Sequence, residues 1–257
     1  METKPDNHVN SIARALRILE CFTNIKNTWF LKELADELGL SATTVHRQLA
    51  TLVAAGYIKH DTKPRKTYSV DNRLILMSCS LLSRYNVRTA AMPFMDKLSK
   101  TVGETVHLCQ LDGSDMFYIE KIESQLSVSC NSRIGGRVPA HFTASGKVLL
   151  SEKPSEFVDE YCLTLDMIPA STENSITDER NLRTELDRIR KQGYARDNEE
   201  TEIGLVCIAA PIYNMDRQCI AAVSISGPRF RIKNNIDDFV PILQTTTRDI
   251  SRMMGFA

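Results

Sequence analysis

The sequence carries no net charge: 32 Lys and Arg residues balance 32 Asp and Glu residues over 257 positions. That excludes a global basic field, so any affinity for nucleic acid must come from local clustering. Long apolar runs are missing as well. None approaches the roughly 18 residues that a membrane-spanning helix needs, and no secretory leader opens the chain, so no membrane partner is expected. The seven cysteines (21, 79, 109, 130, 162, 207 and 219) are odd in number, and none are paired as C-x-x-C. With no histidine cluster at zinc-ligand spacing either, this argues for free thiols in a reducing cytoplasm, with no metal site and no cofactor. There is no internal repeat and no low-complexity tract. What remains is ordinary for two globular domains, with 42% apolar and 25% charged residues.

The most informative stretch is 31–70. Leu31, Leu34, Ala35 and Leu38 are spaced for the buried face of a short helix, and Gly39 suits its left-handed end. Ser41 is a good N-cap for a second helix, which buries Val45, Leu49, Leu52 and Val53 and ends at Gly56. Thr43, Thr44, His46, Arg47 and Gln48 fall on its other faces; for His46 both DNA and the domain core are open. Two β-prone runs, 57–60 and 67–70, then flank a turn rich in breakers and cations, including Lys63, Pro64, Arg65 and Lys66. Helix, tight turn, helix and basic hairpin is the order of a winged helix-turn-helix, whose second helix enters the DNA major groove. Winged helices that bind RNA or protein share that order. From residue 8 to 66, nine Lys and Arg stand against five acids, a local charge of +4. Such a modest excess fits specific contacts or paired copies rather than bulk attraction.

Ahead of this stretch, residues 1–7 are polar and loose. Residues 9–22 place Ile12, Leu16 and Leu19, with Ala15 and Phe22, at helical spacing for a helix behind the motif; Trp29 reads as a core or hinge plug. Behind it, 71–86 is rich in Leu (Leu74, Leu81 and Leu82, with Ile75 and Met77) and reads as a linker helix that also supports dimerisation, through its own twin or the neighbouring domain; an ordinary core helix of the second domain is the alternative. From residue 87 the pattern changes. A helix is expected at 89–101, and strand-like runs at 105–111, 116–122 and 128–134, the first two joined by a turn at 112–115. Short helices follow at 142–150 and 154–162, and a strongly amphipathic one at 178–192. Strands at 207–213 and 219–226 and a last helix at 236–254 complete an α+β domain over 87–257.

Three small-residue stretches in that domain carry candidate chemistry. Ser145 and Gly146, near a helix start, can offer N–H groups to an anion; Ser145-Gly146-Lys147 lacks the spacing of a P-loop. Residues 196–207 form a second stretch, and each of these also reads as a solvated loop or cap. In the third, period-two alternation puts Ser224 and Ser226 on one strand face, with Ile225 on the other. An enzyme with Cys207 as nucleophile and His107 or His141 as base is the competing class, although no triad motif accompanies them.

The stretches SIARALRILECF, LADELGLSATTVHRQLATLVAAGYI, GGRVPAHFTASGKVLL, EIGLVCIAAPIYN and AAVSISGP resemble the IclR family of transcriptional regulators over essentially the whole length. ETVHLCQLDGSDMFYIEKIES resembles the branch that controls sugar-acid catabolism. The resemblance implies a winged helix-turn-helix over 8–70, a linker helix over 71–86 and a GAF-like effector-binding and oligomerisation domain over 87–257. It implies a homodimer or homotetramer on a palindromic double-stranded operator, controlled by a small carboxylate effector, for example a sugar acid. By motif position, the N–H groups of Ala144 and Ser145 meet the effector carboxylate, while Asp197, Cys207, Ser224 and Ser226 line the rest. Glycine is common in the family where Ala144 stands. On the DNA side, Ser41, Thr43, Thr44, His46, Arg47 and Gln48 are the expected readers, with Lys59, Arg65 and Lys66 on phosphates. The expected function is a repressor of a carbon-source operon, and activators of the same architecture are the alternative.

Overall fold

The computed structural model describes residues 9–24, 26–62, 65–82, 86–128 and 130–256. The expected loose stretch 1–7, Lys63-Pro64 of the hairpin turn and part of the expected linker (83–85) lie outside them. The chain divides into two compact units, 1–84 and 85–257.

The first unit contains helices α1 (Asn10–Asn24), α2 (Leu31–Leu38), α3 (Ala42–Ala54) and α4 (Asn72–Leu82), and strands β1 (Thr28–Trp29), β2 (Ile58–Asp61) and β3 (Thr67–Val70). The local signals act as expected. Gly39 ends α2 with φ 63°, and the Ser41 hydroxyl accepts the Thr44 N–H at 3.3 Å to start α3. β2 and β3 form the antiparallel wing. Trp29 is buried and donates its indole N–H to the carbonyls of Lys26 and Cys21. It also pairs with Tyr68 as part of the two-residue strand β1, a third strand that the sequence pattern did not announce. The helix α1 corrects one expectation. Ile18, Cys21 and Phe22 are its buried residues, whereas Ile12 and Leu16 are 59% and 55% exposed. The apolar spacing there runs in two stripes, and only one of them has a partner within the unit.

The second unit is a six-stranded antiparallel sheet in the order β6-β5-β4-β9-β8-β7. Its strands are β4 (Thr105–Asp112), β5 (Asp115–Ile122), β6 (Arg137–Pro139), β7 (Ala195–Asn198), β8 (Leu205–Tyr213) and β9 (Cys219–Pro228). Its helices are α5 (Asn86–Val102), α6 (Ala144–Ser151), α7 (Ser155–Cys162), α8 (Glu179–Gln192), the short α9 (Arg229–Ile232) and α10 (Ile236–Met253). Alternation along the strands sends Val106, Leu108, Ile208, Val223 and Ile225 into a core with α5 and α10. It sends Cys109, Ala209 and Ala222 into a second core with α6, α7 and α8. The sheet is therefore covered on both faces.

Two expectations fail here. Residues 128–134 form no strand among the described positions. Lys121 Nζ donates instead to the carbonyls of Cys130 (3.1 Å) and Ser132 (2.8 Å), so a side chain takes bonds that a ladder would have used. Conversely, 195–198 is an edge strand rather than a loop, with Asp197 turned inward and Asn198 outward.

Candidate functional site

In the first unit, α3 presents Ser41 (its cap), Thr43, His46 and Arg47 to solvent, and Thr44 and Gln48 half-buried. His46 is therefore not a core residue. Val45, Leu49 and Leu52 are buried and hold the helix against the rest of the unit. Lys59, Arg65 and Lys66 on the wing are exposed. Among the described residues, none of Arg47, Lys59, Arg65 and Lys66 has a carboxylate partner. The cations are thus free to meet phosphates or base edges, as a reading helix and wing require. Arg73 donates to the Ala55 carbonyl at 2.8 Å and lies over Tyr57, tying the end of α3 to the start of α4.

In the second unit the expected residues converge. Thr143 caps α6, its hydroxyl accepting the Gly146 N–H at 2.9 Å. The helix offers no acceptor to the first N–H groups, those of Ala144 and Ser145. Gly146 is required for this geometry: a Cβ there would sit 2.2 Å from the Ala140 carbonyl oxygen, a backbone atom that cannot swing aside. Under the helix start, sheet register builds a polar row. Asp197 on β7 stands opposite Cys207 on β8, which stands opposite Ser226 on β9; Ser224 faces the same way two residues along. Together with Ala144 and Ser145 they line one cavity, closed down to about 20 Å³ of free space. The other walls are Met116, Tyr118, Cys130, Thr143, Thr201 and Leu205. Those six were missed: only spatial adjacency marks them, apart from Thr143, whose spacing to Gly146 is a capping signal.

The electrostatics of the cavity are dominated by burial. Asp197 accepts the Glu200 N–H at 2.7 Å and the Thr201 hydroxyl at 3.0 Å, while burial pushes its carboxyl above the usual range against the pull of Lys147. Burial also drives the Cys207 thiol well up, with the charge of Asp197 adding to it. His107 spends its ring on serines, with Nε2 2.6 Å from Ser132 Oγ and Nδ1 3.4 and 3.3 Å from Ser224 and Ser226. His141 Nδ1 takes the Tyr161 hydroxyl at 2.6 Å. A thiol held protonated, with neither histidine bonded to it, is no nucleophile. The Cys207 enzyme is set aside.

Burial, aided by Lys121, pushes the His107 imidazole down to about 3; burial and Lys147 push His141 down to about 4. A depressed histidine contributes stability that is complete above its unfolded value near 6.5 and is lost as pH falls. Glu200, raised to about 7 by burial, acts in the opposite direction between about 4.5 and 7. The expected result is therefore a difference. Below pH 6.5, wild-type unfolding free energy should fall more steeply than that of His107→Asn, by about 1.4 kcal/mol per pH unit. Urea unfolding at four pH values measures it, and parallel profiles would show that His107 is already charged in the fold.

With this geometry established, likeness to known proteins decides the family. The IclR helix-turn-helix domain matches residues 11–62, and the bacterial transcriptional regulator IclR C-terminal domain matches residues 79–252. The chain belongs to the IclR family of transcriptional regulators. It is a DNA-binding regulator and not an enzyme. Over 257 residues it is 34% identical to the HTH-type transcriptional regulator KdgR of Escherichia coli, covering 100% of this chain and 96% of KdgR. It is 32% identical over 229 residues to the acetate operon repressor of Salmonella typhimurium, covering 88% and 83%. A solved IclR homolog from Microbacterium hydrocarbonoxydans, complexed with 4-hydroxybenzoate, superposes with a TM-score of 0.84 at 25% identity, covering 95% and 98%. Among the described residues no helix is long and apolar enough to cross a membrane, and no cluster of His, Cys, Asp or Glu could hold a metal ion.

Proposed function

We propose that this IclR-family chain is an effector-controlled repressor of a carbon-source operon, with the sugar-acid branch as its setting and a small carboxylate as its signal. One observation carries the reading: the start of α6 lies over the polar row Asp197, Cys207 and Ser226, with Ser224 beside it. The carboxylate meets the Ala144 and Ser145 N–H groups at the positive end of α6, and hydroxyl or carbonyl groups meet Asp197, Ser224 and Ser226. KdgR-like and repressor relatives support the direction, and 4-hydroxybenzoate in a family member is itself a carboxylate. About 20 Å³ holds little more than one water, so an effector must part the walls. Its binding energy is then available to favour one arrangement over another. In this reading 8–70 binds DNA, 71–86 transmits the signal and 87–257 receives it; Ser41, Thr43, Thr44, His46, Arg47 and Gln48 read the operator while Lys59, Arg65 and Lys66 hold its backbone.

Genomic DNA retention by the purified protein, repeated with a panel of sugar acids, tests this. One acid should release DNA whose neighbouring genes consume it; DNA retained equally under every acid removes the carboxylate signal, and an acid that strengthens retention turns the repressor into the activator alternative.

Paired copies, a dimer or a tetramer of dimers on a palindromic operator, follow from the modest charge of the first unit and its bare apolar stripe. Ile12 and Leu16 fall on one side of α1, with Val9 just ahead of it, and the three are 55–59% exposed; Ile75, Leu76 and Met77 on α4 are exposed too. Ile12→Glu with Leu16→Glu should shift the sedimenting species to lower mass and weaken operator binding more than tenfold. An unchanged mass would place the pairing surface elsewhere.

A further inference from the structure

An effector can enter the carboxylate cavity only by parting its walls, and the walls differ in what holds them. Most belong to the paired strands β5, β7, β8 and β9 or to the start of α6. The Thr201 hydroxyl lies 3.0 Å from both the Asp197 carboxyl and the Phe142 carbonyl. Cys130 is the exception. It belongs to the stretch 130–134, in which no residue is buried and none pairs as a strand. That stretch has a fixed base. Gly135, at φ 78°, donates its N–H to the Tyr118 carbonyl at 2.7 Å, and the Gly136 carbonyl accepts the Tyr118 N–H at 3.1 Å.

Two side chains of the sheet hold 130–134 across the cavity. Lys121 on β5 donates from Nζ to the Cys130 carbonyl at 3.1 Å and to the Ser132 carbonyl at 2.8 Å, and pairs with Glu123 at 2.9 Å. His107 on β4 meets the Ser132 hydroxyl through Nε2 at 2.6 Å. The other ring nitrogen, Nδ1, is the one that lies 3.4 and 3.3 Å from the hydroxyls of Ser224 and Ser226. A neutral imidazole carries one proton, so a donor at one nitrogen is an acceptor at the other. One ring therefore links the two hydroxyls of the cavity floor with the hydroxyl that closes its wall.

We infer that His107 is a positioning residue that latches residues 130–134 as the movable wall of the carboxylate cavity, with Lys121 as the second catch. An occupant that engages Ser224 and Ser226 disturbs the ring at Nδ1 and loosens Ser132 at Nε2, so entry and opening are coupled. A stretch with no buried side chain opens at a lower free energy than a strand ladder or a packed core. The inference rests on the reading of this cavity as the effector's site, but its test does not need the effector.

The test is alkylation of the full-length protein by iodoacetamide, followed at each cysteine by mass spectrometry. Cys207 lines the cavity, whereas Cys219 lies outside it at the start of β9. Opening the wall admits water to Cys207, which exposes the thiol and favours its thiolate. Ser132→Ala removes one half-buried hydroxyl and should raise the Cys207 rate at least fivefold while leaving Cys219 within twofold of wild type. His107→Asn keeps a polar atom toward Ser224 and Ser226 but lacks Nε2, and should act in the same direction. A smaller rise at Cys207 in Ser132→Ala would overturn the latch. An equal rise at Cys219 would overturn it too, since the whole unit would then have loosened. The full rise at Cys207, beside DNA retention that no sugar acid alters, would uphold the latch and remove the carboxylate reading.

Discussion

Arg47→Ala should abolish operator retention in a gel-shift assay while leaving oligomeric state and thermal stability unchanged. Arg47 sits one turn into α3, exposed, with no carboxylate partner among the described residues. Its guanidinium can reach a guanine edge or a phosphate without first breaking a contact in the protein. A bidentate base contact is worth about 1–3 kcal/mol. Two copies on a palindrome double that, so the loss is about 30-fold to 10⁴-fold in affinity. Truncation of an exposed side chain away from the buried Val45, Leu49 and Leu52 should cost the fold under about 0.5 kcal/mol. Wing variants should behave differently. Lys59→Ala or Lys66→Ala should weaken all sequences alike and make binding less steeply dependent on salt. Retention within threefold of wild type would remove Arg47 from the reading surface.

Lys147→Met should be the most damaging single change in the second unit. Lys147 is 1% exposed on α6, with Nζ 2.5 Å from Glu200 and 3.7 Å from Glu185. Burial raises the carboxyl of Asp197, and the same ammonium pulls against that rise. Removing it leaves the buried Glu200 carboxylate without its ion-pair partner, which typically costs about 3–5 kcal/mol. For a unit of this size that lowers the melting temperature by about 6–20 °C. The sign with pH is fixed by Glu200, whose carboxyl burial lifts to about 7 even beside Lys147. Without the lysine it protonates more readily, so the loss should be smaller at pH 6 than at pH 8. Adding Glu200→Gln should recover part of the loss at pH 8. Equal melting temperatures for Lys147→Met and wild type would show that water, not Lys147, compensates these carboxylates.

The first unit was largely legible because its signals are local. An N-cap serine, a glycine free to take positive φ and apolar residues three and four apart act within a turn or two of chain. They specify α2, α3 and the wing without reference to distant residues. The same local spacing misled at α1, where Ile12 and Leu16 follow helical periodicity yet stay exposed. Periodicity reports an apolar stripe and is silent on what covers it.

The second unit was legible in its elements and less so in its site. Alternation alone placed Ser224 and Ser226 on one face, and the structure brings both to His107. Likeness to the family, not pattern, singled out Asp197 and Cys207. Their meeting depends on β7 pairing with β8 in one register, and a slip of one residue would turn Asp197 to the other face. The strand β7 itself escaped notice because an edge strand with Asp197 turned inward does not alternate apolar with polar. Residues 128–134 looked like a strand because Val128 and Ile134 favour one, but Lys121 satisfies the backbone there instead.

The sequence by itself determined the helix-turn-helix with its wing, the near-neutral charge that makes local contacts matter, and the amphipathic helices over the sheet. Each is a property of residues a few positions apart. Only tertiary structure decided which polar residues meet beneath α6, that Lys147 is buried among carboxylates, and that His107 meets Ser224 and Ser226. Those outcomes rest on register and on packing between segments 50 or more residues apart, such as Lys147 with Glu200. The physical reason is that a buried charge is tolerated only beside a partner, and the partner's place is known only once the chain has folded.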